Sequence, residues 1–168
     1  AEVTIASNTI QATTSPGGCN IRIVGDPEVG YRPNLITITG NIIGSQEVNV
    51  HLVGCHGLVL SGNVIYSCGH RAILAENCDH LNISGSNFRS HDLSRDPKMF
   101  TGIRLEKCRD AIISSCILSD EIPDGQPTKA SLIELEKCDR ITVQGCQLIN
   151  GTPLGIDAVD CNFTNVVG

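Results

Sequence analysis

The chain has 168 residues with no Trp, two Tyr and three Phe, so one domain's core must come from aliphatic side chains and some of its nine Cys. Net charge is −6 and the 12 Lys and Arg form no run, which leaves no basic footprint for nucleic acid or an anionic membrane. No stretch approaches the ~18 apolar residues of a membrane span. No signal peptide opens the sequence, so the chain is expected to be cytoplasmic or to have lost a leader.

In chain order the first apolar alternation is VTIASN from Val3, then IRIVGD from Ile21 after the loop-like ATTSPGGC (Ala12–Cys19). DPEVGYRPN (Asp26–Asn34) separates these from ITITGN at Ile36. From there the pattern becomes regular. VHLVGC ends at Cys55 and LVLSGN starts at Leu58; ILAENC ends at Cys78 and LNISGS starts at Leu81. IRLEKC ends at Cys108 and AIISSC starts at Ala111; IELEKC ends at Cys138 and ITVQGC starts at Ile141; IDAVDC ends at Cys161.

Period-2 alternation in segments this short, bounded by Gly, Asn and Asp, predicts short strands. The five cysteines are 23, 30, 30 and 23 residues apart. A third apolar position follows the other turn, at Ile10, Ile43, Ile65, Phe88, Leu118 and Leu148. Strands that cannot bury an apolar face alone, repeated at such a period, predict coils stacked on one another. The expected fold is all-β: a single-stranded parallel β-helix of about six coils with three short parallel sheets, at ~4.8 Å per coil roughly 30 Å long. Residues 1–168 are expected to form one domain of a larger chain, because neither terminal coil has a capping helix. Otherwise a homo-oligomer would cover the ends.

On these repeats the chain resembles the right-handed parallel β-helix repeats of the pectin-lyase-like superfamily, over nearly its whole length. The resemblance implies a right-handed coil and a polysaccharide laid along one sheet, in a groove walled by loops. It stops at the repeats. The Asn-Thr-Asp, Asp-Asp and Gly-His-Gly signatures of polygalacturonases are absent, and those of pectate and pectin lyases are not recognisable. The fold class favours an extracellular or cell-surface location, whereas reduced cysteines would favour the cytoplasm, so localisation stays open.

Stacking predicts two turn ladders. The five cysteines form one; Asn8, Asn41, Asn63, Ser86, Cys116 and Cys146 form the other, with Asn amides bonding along the axis and thiols acting as small apolar fillers. One Cys per coil is what packing requires, so reduced, structural thiols are expected rather than disulfides.

In the Cys-ending strands the outward residues fall into two rows. Glu76, Glu106 and Glu136 make one; His51, Leu74, Arg104, Glu134 and Asp157 make the next. The thirty-residue coils loop out at Arg89–Thr101 and Ser119–Ser131, flanking this face. Carboxylates one or two rises apart suit glycosidase chemistry, and their mutual repulsion should raise one pKa to give an acid beside a base. The candidate catalytic residues are therefore Glu106, Glu134, Glu136 and Asp157, with Arg104 as electrophilic partner. Candidate substrate-binding residues are His51, Glu76, His91, Asp92 and Asp124. The same residues also make an ordinary solvated strand face, since neighbouring Arg and Lys can neutralise the glutamates pairwise.

Calcium could bridge such carboxylates, but no cofactor is predicted. No metal centre is predicted either. His51, His56, His70 and His80 lie near Cys55, Cys68 and Cys78, but no CxxC pair exists and the fold turns Cys55 and Cys78 inward. The leading function is polysaccharide recognition or processing, with turnover (hydrolase or lyase) left open. The alternative is a non-catalytic structural or protein-interaction β-helix of the tailspike, adhesin or scaffold type.

Overall fold

The computed structural model describes residues 2–26, 28–89, 102–120, 131–151 and 153–168. The alternating segments all form strands. The first coil holds β1 (Val3–Ala6), β2 (Thr9–Gln11) and β3 (Cys19–Val24); the second holds β4 (Asn34–Thr39) and β5 (Ile42–Val53). The third contains β6 (His56–Ser61) and β7 (Val64–Glu76), and the fourth β8 (Asp79–Ser84), β9 (Asn87–Arg89) and β10 (Ile103–Glu106). Next come β11 (Arg109–Ser114), β12 (Ile117–Ser119) and β13 (Ile133–Glu136), then β14 (Asp139–Gln144), β15 (Gln147–Ile149) and β16 (Ile156–Val159). β17 (Asn165–Val167) begins a further turn.

All strand pairs are parallel and join successive coils. One sheet runs β1-β4-β6-β8-β11-β14-β17. Its register stacks Ile36, Leu58, Leu81, Ala111 and Ile141 on one another. The Cys-ending strands stack likewise: Val50 lies on Ile73, Ile73 on Ile103, Ile103 on Ile133 and Ile133 on Ile156. The third series stacks Ile10, Ile43, Ile65, Phe88, Leu118 and Leu148. This is the parallel β-helix that the 23- and 30-residue spacings predict.

One junction differs from three fully separate faces. β5 and β7 run unbroken through the corner between the second and third series, so those two faces share a hydrogen-bonded sheet. Left-handed Ser45 (φ 61°) and Ser67 (φ 44°), with a register shift between Gln46 and Val48, let the chain turn while pairing continues. In later coils the residues between β9 and β10 and between β12 and β13, at the same point of the series, lie largely outside the described residues.

The inward side chains form one continuous core of Ile, Leu, Val, Phe, Ala and Cys. Each fully buried Ile or Leu contributes roughly 1.5–3 kcal/mol by leaving water, so an almost aromatic-free chain can still hold together. The buried residues include Cys55, Cys78, Cys108 and Cys138, and all nine cysteines are free thiols. Both turn ladders exist. Asn41 Oδ1 accepts from Asn8 N and Nδ2 at 3.0 and 3.2 Å, Asn63 Oδ1 accepts from Asn41 N and Nδ2 at 3.0 and 3.1 Å, and Ser86 Oγ accepts from Asn63 N at 3.2 Å. In the cysteine ladder each thiol bonds carbonyls instead, as Cys108 does with Ala75 O at 3.4 Å.

Candidate functional site

β7, β10, β13 and β16 set the outward rows side by side. Arg104 lies in register with Leu74 and Glu134, and Glu134 with Asp157; Glu106 lies in register with Glu76 and Glu136. The period of two puts all of these on the solvent side while their neighbours Leu105 and Leu135 fill the core.

Arg104 occupies the centre of the carboxylates. Its guanidinium donates to Glu134 Oε2 at 3.2 Å, Glu136 Oε2 at 2.7 Å and Glu106 Oε2 at 3.5 Å. Lys107 and Lys137 pair with Glu106 and Glu136 at 3.2 and 3.4 Å. The repulsion expected from the sequence is therefore cancelled. The Lys107 ammonium, aided by Arg104, holds the Glu106 carboxyl below its ordinary value, opposite to what an acid catalyst needs. A calcium ion would have to displace a guanidinium from the middle of this set. Asp157 makes no ion pair among the described residues. His51 Nε2 and Glu76 Oε2 meet at 2.6 Å one coil away. His91, Asp92 and Asp124 lie outside the described residues.

Among the described residues of the outward strip, Glu134 is the carboxylate held by the most partners. Besides Arg104 it receives Ser131 N at 3.1 Å and Arg71 at 2.5 Å, and Arg71 is almost wholly buried. Sequence reasoning missed Arg71. The sequence carried no signal for it; the pairing of Arg71 with Val48 on β7 and its burial show why it needs an acid. Asp120 was also missed. It directly follows β12 at 2% exposure, burial pushes its carboxyl up to about 6, and among the described residues its Oδ1 has no hydrogen-bond partner.

At the side of the Glu76 row a cavity of about 410 Å³ is lined by Gly30, Tyr31, Arg32, Val53, Gly54 and Asn77. The insertion at Asp26–Asn34 builds its wall. Asp26 and Tyr31 exchange both backbone hydrogen bonds at 2.8 Å. Arg32 then pins the loop to the coils, donating to Gly54 O at 3.3 Å, Cys55 O at 3.2 Å, Asn77 O at 3.1 Å and Asp79 Oδ2 at 2.7 Å. Tyr31 remains 46% exposed on this fixed loop.

A family model described as right handed beta helix region matches residues 1–168. A search of curated proteins found no match. Among solved structures, a 1.95 Å crystal structure of a Parabacteroides merdae protein, provisionally described as a glycosyl hydrolase, aligns with 98% of this chain and 77% of its own. Sequence identity is 9% and the TM-score is 0.44.

Proposed function

The chain belongs to the right-handed β-helix family, and from that premise we propose that it recognises polysaccharide along the outward face of β7, β10, β13 and β16. The observation that carries this reading is the Tyr31 cavity opening beside the polar strip of His51, Glu76, Arg104, Glu106, Glu134, Glu136 and Asp157. A half-exposed aromatic ring on a pinned loop offers an apolar plate for a sugar face. The strip offers charged acceptors and donors at ~4.8 Å intervals for the hydroxyls of a linear chain.

Binding without turnover is the better-supported form. The carboxylates around Arg104 are already compensated, and Glu106 is held in its charged form rather than poised as an acid. The test is affinity electrophoresis on a panel of neutral and acidic polysaccharides, with assays for new reducing ends and unsaturated products. At least one polysaccharide should retard the parent, and Tyr31→Ala and Glu76→Gln should relieve the retardation without products in any lane. No retardation across the panel would overturn the reading. Products that disappear with Glu106→Gln or Glu134→Gln would replace it with catalysis.

A second reading has its own observation. Phe163 is 82% exposed, with Val166 and Val167 beside it on the surface of the last described coil, which favours contact with another polypeptide there.

A further inference from the structure

The turn that follows each ladder cysteine carries a second constellation, away from the glutamate strip. His56 and Asp79 are register partners at the start of β6 and β8, and His80 follows Asp79 in a left-handed conformation (φ 54°). That backbone turn swings the His80 ring back towards His56, with ring centroids 4.7 Å apart and planes inclined at 54°. His56 Nδ1 bonds Asp79 Oδ1, and His80 Nδ1 lies 3.5 Å from the same oxygen. The two imidazole nitrogens and the carboxylate oxygen all fall within 4.8 Å of one another.

We propose that His56, Asp79 and His80 form a binding site for a divalent transition-metal ion of the zinc class. Two imidazoles and one carboxylate are a donor set that zinc takes in its three-ligand sites, with water in the remaining position. Calcium and magnesium, which require an oxygen shell, are poorly matched to it. The burial pattern is that of a built site. Asp79 is 2% exposed and fixed from behind, its Oδ2 receiving Arg32 at 2.7 Å and Arg109 at 3.1 and 3.2 Å. Such outer contacts orient a ligating carboxylate. They leave Oδ1 facing the two histidines, whose side chains are 46% and 59% exposed and so open to an incoming ion.

Burial alone would raise the Asp79 carboxyl, but Arg32, His56 and Arg109 outweigh it and hold the group far below the usual carboxylate range. On binding, the metal takes the Nδ1 lone pair of His56 and the ring proton moves to Nε2, so no ligand need leave. The guanidiniums of Arg32 and Arg109 weaken the attraction for a dication, and Asp110, one coil on from His80, is already compensated by Arg140 at 2.6 Å. This points to a site of moderate affinity.

The test is calorimetric titration of the full chain with zinc chloride in a non-chelating buffer, with X-ray absorption at the zinc edge to read the ligand atoms. The parent should take up one equivalent with nitrogen and oxygen ligands only. His56→Ala and His80→Ala, both at exposed side chains, should keep the parent's circular dichroism and each weaken binding by about tenfold or more. Absence of uptake by the folded parent would overturn the proposal. So would uptake that both variants retain, or sulfur in the coordination shell, which would place the ion among the thiols.

Discussion

Arg104 faces Glu134 in strand register, yet its shortest contact, 2.7 Å, is diagonal, to Glu136 two residues further along the neighbouring strand. One guanidinium thereby ties both outward rows together, and the carboxylates it holds are not equivalent. Among the described residues Glu136 otherwise has only solvent-exposed Lys137, whereas Glu134 also compensates buried Arg71. Glu134→Gln should therefore cost about 2–4 kcal/mol by stranding a buried charge, and Glu136→Gln no more than about 1 kcal/mol. Chemical denaturation of the two variants side by side checks this; equal losses would show that Arg71 does not depend on Glu134.

Arg104→Met removes the shared cation and should lower stability by about 1 kcal/mol at neutral pH. Arg104 helps Lys107 hold Glu106 below its ordinary value, so the stability it adds is present above that value and lost as pH falls below it; the deficit should therefore shrink in acid. A loss independent of pH would mean that Arg104 acts through packing.

Asp120 gives a pH effect of opposite origin. Its folded value of about 6 lies above the ordinary 3.8, because burial disfavours the charge. The folded state therefore holds the proton more tightly. The stability this confers is full below about pH 4 and is lost as pH rises through 6, at a cost on the order of 2–3 kcal/mol. Asp120→Asn should melt above the parent at pH 7.5, with the gap closing at pH 4. Parallel melting curves at both pH values would refute this.

The amide ladder can be cut at one rung. Asn63→Leu would take the side-chain partner from Asn41 N and Ile38 O in the interior and leave Asn41 Nδ2 with Ile5 O alone, at a cost of about 2–4 kcal/mol. Asn63→Ser should recover part of that, because Ser86 already serves as the next rung.

The thiols supply a covalent check. Burial pushes Cys116 up to about 11, and in the other ladder Cys55, Cys78, Cys108 and Cys138 are buried and bonded to carbonyls. Ellman's reagent should therefore react slowly with native protein, then count nine thiols after denaturation without reductant. Fewer than nine would reveal disulfides.

The coil architecture was legible because its evidence is repetitive: the spacings of Cys55, Cys78, Cys108, Cys138 and Cys161 predict the stacking of β7, β10, β13 and β16. The amide ladder was legible for the same reason. What spacing could not show was local. The unbroken path of β5 and β7 depends on two serines in left-handed conformations, a geometry Ser does not advertise. The charge on Glu106 depends on which way Arg104 and Lys107 reach, and the convergence of His56 and His80 depends on the ring being turned by a left-handed backbone at His80. Asp120 looked like part of a polar insertion because nothing in SDEIPDG marks its first Asp as enclosed.

A coil with seven extra residues pairs on both sides in the same frame as a shorter one: Ile103 meets Ile73 behind it and Ile133 ahead. Surplus length is thus absorbed at a corner and never transmitted to the rungs. Added length there should leave the register of the neighbouring rungs unchanged, much as a spiral binding accepts pages of any width. New recognition surfaces can be grafted at that corner without redesigning the stack.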